Sequence, residues 1–519
     1  MNTTTLHDHS KVRIQKRPSL KLNALSNWVA LSVNIMIGFV LTPVIVKHLG
    51  QTRFGMWTLA SSLVGYFGLV KMGVGTGVLR YVPMYRGKGD KEKVDVTIST
   101  GMAFYTGVGL AIFMLCWLFA DSIAAFFRAD TEFATLVRIT GLAVALECPT
   151  QILDTAIRSY ESFVYVNVVA IAGALVRAVL LAGCILMGYG LVAMGWVWVI
   201  TAVFLFAATG LVFRKCCWDV TLGVKAVRWT ELKMLLYFGV FIIMGTVAEL
   251  LTYDSPKQII GKVISLPAVG FFGIAALLVS YYRQAIYSLT RVFLPRFSYL
   301  AGSNSDKEIR RLFFAGSKYT TILLAGVALL IFTVGPSFLR LWLDKSFGQA
   351  APALIILTAG SMVFLSHNMS INLLYGLGKE AYIGVIAIIE GIAVFGLCLA
   401  LSFKYGITGV AIGVAVPLIV IRGFFQTRYV CGLIKVSFRN YYAKCILRPW
   451  IVSIAIAVSA SFLIDVNQYI GGWVSFLLVS AIVTLVYGTV TYLAVIESSD
   501  KKQINSWLLG ILGLAPANR

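Results

Sequence analysis

Along this chain, apolar runs of about twenty residues recur from Leu22 to Ile496, separated by short polar and mostly basic segments. Each run meets the length needed to cross the hydrocarbon core of a bilayer as an α-helix. The pattern predicts spans near 22–46, 54–79, 95–118, 133–157, 164–188 and 190–213. A second series falls near 234–256, 267–295, 313–336, 350–375, 380–403 and 406–429, and a last pair near 448–466 and 470–496. The expected fold class is therefore all-α integral membrane, with about fourteen transmembrane helices.

Composition strengthens this reading. Of 519 residues, 59% are hydrophobic and 13% charged, about half the charged fraction of a soluble protein, and the mean hydropathy is +0.85. The net charge of +22 follows from Lys and Arg crowding alternate loops, as cytoplasmic loops do. This register puts both termini and the segments 80–94, 214–233, 296–312 and 430–447 on the cytoplasmic side. The charges are spread over loops rather than gathered on one face, which argues against nucleic-acid binding. The basic first twenty residues lack a short apolar core and a small-residue cleavage site, so no cleaved signal peptide is expected. None of the eight cysteines lies on an outer loop, and no C-x-x-C occurs.

Three landmarks repeat at nearly one interval. Phe54-Gly55 recurs as Phe272-Gly273, 218 positions on; Asp90-Lys91-Glu92 recurs as Asp306-Lys307-Glu308, 216 on; Tyr189-Gly190 recurs as Tyr405-Gly406, again 216 on. The chain thus reads as a basic tail (1–21), a six-helix lobe (22–213), a linker (214–233), and a second six-helix lobe (234–429). A second linker (430–447), an added helix pair (448–496) and a tail (497–519) follow. Six spans per lobe make the two lobes pseudo-symmetric and parallel, an arrangement that places a substrate near the midplane between them. The segment 501–519 is either a short interfacial helix or a tail.

No P-loop and no H-E-x-x-H is present, and His7, His9, His48 and His367 are scattered, so no cofactor or metal is expected. His367, within a span, reads as a packing or hydrogen-bonding residue. The run Gly73-x-Gly75-x-Gly77 lies inside a span rather than after a soluble strand, and so serves close helix approach or bending instead of nucleotide binding. What stands out is charge within spans. Cations are Lys71, Arg138, Arg177, Arg283, Arg291 and Lys318; acids are Glu147, Asp154, Glu249, Asp254 and Glu390. Such residues face a cavity or a partner. Glu147 and Asp154, seven apart, share a helical face with Arg177 in reach of either. Arg291 and Lys318 lie near span ends, where they can snorkel. Lys71, in GYFGLVKMGVGTGVLRY, is costly by roughly 2.5–3.5 kcal/mol at a helix centre; it either snorkels or lines a cavity. Arg283 sits deeper, in the polar and aromatic stretch SYYRQAIYSLTR.

Residues 48–94 carry Gly50, Phe54-Gly55, an aromatic span, Gly73 and Gly75, Arg80-Tyr81 and Gly89-Asp90-Lys91. This segment resembles the N-terminal signature of Wzx-type polysaccharide-transport flippases, within the multidrug/oligosaccharidyl-lipid/polysaccharide exporter superfamily. The Tyr-Gly openings and the extra helix pair fit the fourteen-span members. The resemblance implies a non-enzymatic flippase in the bacterial cytoplasmic (inner) membrane. It would move undecaprenyl-pyrophosphate-linked oligosaccharide by alternating access, coupled to proton or sodium, with polysaccharide polymerase machinery as a partner. On that view Lys71 and Arg283, from opposite lobes, receive the pyrophosphate, with Arg291, Arg138 and Arg177 as further cations. Glu249, then Asp254, Glu147 and Asp154, are the coupling acids. Related sequences often read Leu-Asp-Leu-Gly where this chain has Val70-Lys71-Met72-Gly73, so no role of that acid transfers. A drug/cation antiporter of the same superfamily is the alternative; its cavity should be acid-rich. A multi-span glycosyltransferase or polymerase would need a large outer loop, and none is present.

Overall fold

The computed structural model describes residues 20–303, 305–463, 466–497 and 501, with side chains at all of these except 20–25, 27, 67–72, 238–242, 462–463 and 466. The first helices are α1 (Leu20–Gly87), α2 (Lys91–Phe126), α3 (Thr131–Ser159), α4 (Phe163–Leu186), α5 (Leu191–Cys216) and α6 (Trp229–Tyr253). Then come α7 (Ser255–Val263), α8 (Leu266–Thr290), α9 (Phe293–Gly302), α10 (Asp306–Trp342), α11 (Ala351–Ser366) and α12 (Asn368–Gly376). The chain ends with α13 (Glu380–Pro417), α14 (Thr427–Leu433), α15 (Phe438–Tyr441), α16 (Arg448–Val458) and α17 (Trp473–Ala494). No strand occurs among the described residues, and the chain is an all-α multi-pass membrane protein.

Eleven helical stretches among the described residues are long and apolar enough to cross a membrane. The fourteen expected spans exceed this number partly because two pairs are continuous. Helix α1 breaks only at Gly50 (φ 70°), and α13 only at Gly406 (φ 56°). A left-handed φ is nearly free for glycine and strained for other residues, so one glycine turns the backbone where no loop intervenes. The signature turn 89–90 has a different device. The Asp90 carboxylate accepts the Lys93 backbone N–H at 3.1 Å, capping α2. The tail segment beyond Lys501 lies outside the described residues.

The contacts divide into two units. One comprises residues up to Val44, Phe67–Ala124 and Asp130–Ile243; the other comprises Ile45–Tyr66, Ala125–Ala129 and the residues from Met244. In the first, small residues bring helices close, as the Gly-rich run predicts. The Gly75 N–H donates to the Tyr105 hydroxyl at 2.9 Å, and a Cβ at Gly77 would come within 2.7 Å of Leu235.

The second unit joins the mid-part of α1 to α8 through two of the repeated landmarks. A Cβ at Gly55 would lie 1.9 Å from the Leu266 carbonyl oxygen, and one at Gly273 would lie 2.6 Å from Thr58. At Gly55 the obstacle is backbone, and at Gly273 it is the Thr58 side chain. The Phe54-Gly55 and Phe272-Gly273 pairs therefore mark one contact. The added helices α16 and α17 dock on α10: Ser453 donates to the Ala325 carbonyl at 2.8 Å, and Tyr487 to the Ile322 carbonyl at 2.7 Å.

Candidate substrate site

The second unit contains the most buried concentration of charge among the described residues. After Pro417 the helix continuing α13 widens into a π-helical segment, Leu418–Gln426, a form that is rare and recurs at functional sites. It aims Arg422 inward. Arg422 donates from Nε and Nη2 to the Glu390 carboxylate at 2.5 and 3.2 Å, and from Nη1 to the Gln426 amide oxygen at 2.7 Å. The two side chains are only 6% and 5% exposed. A bidentate fork with an added amide acceptor is the geometry in which a buried pair offsets its desolvation.

Arg283 enters the same unit from α8. Its guanidinium carbon lies 3.5 Å from the centre of the Tyr253 ring at the end of α6, a close cation–π stack. Its Nε is sealed from solvent and has no hydrogen-bond acceptor among the described residues. Tyr287, one helical turn further along α8, packs edge-on to Phe364 of α11 with centroids 6.4 Å apart. Arg422 approaches the same Phe364 ring at 5.5 Å. Two guanidinium groups thus lie in one aromatic surround with a single buried carboxylate, Glu390. Glu249, on α6, is exposed. Arg283 keeps a buried donor with no acceptor among the described residues, whereas the Arg422 fork is filled by Glu390.

The remaining predicted residues are distributed differently. Arg138 donates to Asp121 at 2.6 Å and lies over Trp117. Arg177 and Arg291 are exposed. Glu147 accepts from the Trp198 indole at 2.9 Å, Asp154 from Arg158 at 2.7 Å, and Asp254 from Lys257 at 2.8 Å. Lys318 faces Glu497 at 3.5 Å. The Lys71 side chain lies outside the described residues. His367 is fully buried; its Nδ1 bonds the Val363 carbonyl at 2.7 Å, the structural role expected of it. The described residues hold no cluster of three or more His, Cys, Asp or Glu able to bind a metal.

Arg422, Tyr253 and Tyr287 were not predicted as site residues. A signal existed for Arg422, since it interrupts the apolar run LIVIRGFF. Its partner Glu390 is 32 residues away, and only the fold brings the two together.

A family model described as "Polysaccharide biosynthesis protein" matches residues 44–352. The chain belongs to this family. Over 93% of its length it is 19% identical to a Bacillus subtilis protein called uncharacterized membrane protein EpsK, of which 97% is covered. It is 22% identical, over 95% of each chain, to the succinoglycan biosynthesis transport protein ExoT of Rhizobium meliloti. A putative O-antigen transporter of Shigella flexneri is 19% identical over 79% of this chain and 98% of its own. Among solved structures, the lipid II flippase MurJ in an inward closed conformation aligns with a TM-score of 0.68 at 14% identity. That alignment covers 91% of this chain and 99% of the other. An inward-facing multidrug resistance transporter, itself described as a MATE family member of the MOP superfamily, aligns with a TM-score of 0.69 at 14% identity, covering 80% and 99%. The two structures establish the fold class. Two of the three relatives carry names that describe transport.

Proposed function

We propose that the chain is a flippase for undecaprenyl-pyrophosphate-linked oligosaccharide in the bacterial cytoplasmic membrane, working by alternating access in surface polysaccharide biosynthesis. The observation that carries this reading is Arg283: a guanidinium held against Tyr253, its Nε buried and lacking an acceptor. A buried donor without a partner is costly, and a pyrophosphate oxygen removes that cost during transit. Arginine binds phosphate oxygens as a fork, whereas lysine acts as a point charge; Lys71 is the second cation of this proposal. Arg291, Arg138 and Arg177 are secondary cations in the same reading, each contributing far less than Arg283.

Proton or sodium coupling belongs to the same reading. Glu249 is the first candidate, because it is exposed on the helix that ends in Tyr253, and it has room to exchange an ion. Asp254, Glu147 and Asp154 follow, each with a donor already in place. The organisation that goes with it is two six-helix lobes, 22–213 and 234–429, with cytoplasmic termini and polymerase machinery receiving the product. The cation-antiporter alternative is disfavoured by two arginines around one buried carboxylate, which repel a cationic drug.

Deleting the protein and profiling lipid-linked glycans by leaflet tests the proposal. One undecaprenyl-pyrophosphate oligosaccharide is expected to accumulate on the cytoplasmic leaflet while surface polysaccharide falls. Intact surface polysaccharide with no accumulated intermediate rejects the flippase reading.

A further inference from the structure

A second charged cavity in the second unit is separate from the arginine site. It occupies about 180 Å³ where helix ends converge: Asp306 opens α10, Gly376 closes α12, Glu380 opens α13 and Leu433 closes α14. These are also boundaries of membrane-crossing stretches, so the cavity lies at the level where hydrocarbon gives way to headgroups. Its polar wall is Asp306, Arg310 and Lys379; its apolar wall is Leu377, Leu433 and Ile434. The turn carrying Lys379 is made by Gly378 at φ 68°.

We propose that this cavity binds the headgroup of an anionic phospholipid. Arg310 is the main reason. Its Nε is buried and has no hydrogen-bond acceptor among the described residues, although Asp306 stands one helical turn before it on α10. The two cations exceed the one acid, and the N-terminus of α10 adds a partial positive charge. A phosphodiester supplies the missing acceptor, and basic pockets between helix ends on one membrane face are known to recognise such headgroups. The apolar wall suits the glycerol and first acyl carbons, which favours a lipid over free phosphate. Size separates this site from the transport route: drug-sized ligands occupy roughly 300–1,000 Å³, so a diphosphate-linked oligosaccharide is too large. The proposal is independent of which substrate the protein moves.

Native mass spectrometry of the purified full-length protein with dioleoyl phosphatidylglycerol or dioleoyl phosphatidylethanolamine tests it. Wild type is expected to retain phosphatidylglycerol preferentially. Arg310→Gln should weaken that retention roughly tenfold, the scale of one charged hydrogen bond, and Lys379→Gln should weaken it by a smaller factor. Asp306→Asn should strengthen it, a change of sign that mere structural damage does not produce. Excess inorganic phosphate should leave the lipid bound. The proposal is overturned if Arg310→Gln and Lys379→Gln both keep the wild-type preference, or if Asp306→Asn weakens retention. Displacement of the lipid by phosphate assigns the cavity to a free anion and overturns the lipid assignment. If Arg310→Gln does not fold, Lys379→Gln and Asp306→Asn decide the matter between them.

Discussion

In the first unit, the ion pairs among the described residues are exposed or half-buried. Arg228 and Glu92 are 59% and 74% exposed, Arg138 and Asp121 are 28% and 72% exposed, and Arg158 and Asp154 are 31% and 25% exposed. In the second unit, Arg422 and Glu390 have almost no contact with solvent, and Arg283 hides a donor beside an aromatic ring. The two units thus arrange their charge differently. The first unit uses charge at its margins, where pairs are weak, while the second concentrates it where removal of one partner is severe.

The comparison is easiest to break at the buried pair. Glu390→Ala or Arg422→Ala alone should cost ~3–5 kcal/mol, because each strands an unpaired charge. The double variant Glu390→Leu/Arg422→Met should recover most of that loss in thermal unfolding of the purified protein. If each single variant unfolds like wild type, the pair is not the anchor of the second unit.

Next comes transport. Arg283→Ala should abolish surface glycan at normal protein levels, and Arg283→Lys should restore part of it, whereas Arg138→Ala should leave export near normal. Equal effects of the two alanine variants would erase the distinction between buried and marginal cations.

A smaller loss is expected at the glycine contact. Gly55→Val drives a side chain into the Leu266 carbonyl and should destabilise by ~1–3 kcal/mol, the usual scale of overpacking, read as a lowered melting temperature. Arg228→Ala, at an exposed pair of the first unit, should cost no more than ~1 kcal/mol.

The smallest effect concerns pH. The Lys93 N–H, the first of several hydrogen-bonding and charge contacts, holds the Asp90 carboxyl below its ordinary range. The cap is therefore in place at neutral pH and lost as acid takes the medium down through that lowered value. Amide exchange at the start of α2 should accelerate there, and in Asp90→Ala it should be fast at every pH.

Much of this architecture was legible in the chain itself. Long apolar runs locate helices because a bilayer demands length and uniform apolarity, and the Gly-rich run correctly marked close approach at Gly75 and Gly77. Arg283, Glu390 and Glu249 were visible as charges within spans. Their relations were not. Whether Glu390 pairs with Arg422, or Arg283 stacks on Tyr253, depends on contacts between helices distant in sequence. Glu249 is exposed although its span is apolar, because the face a helix turns inward is set by neighbours. The count of spans differed for a local reason: at Gly50, within the polar stretch KHLGQTR, and at Gly406 the chain turns inside helices that otherwise run on.

The π-helical segment has a consequence for how this protein tolerates change. In an α-helix each residue advances the chain by about 100° of rotation; the wider turn at Leu418–Gln426 alters that phase just where Arg422 must meet Glu390. Thr427 donates to the Arg422 carbonyl at 2.9 Å, and Tyr442 to the Gly423 carbonyl, so the widened turn is tied down from both sides. Deleting one residue between Pro417 and Arg422 would swing the guanidinium about a quarter-turn away without altering a single side chain. At this turn the number of residues governs the pairing as firmly as their identity does.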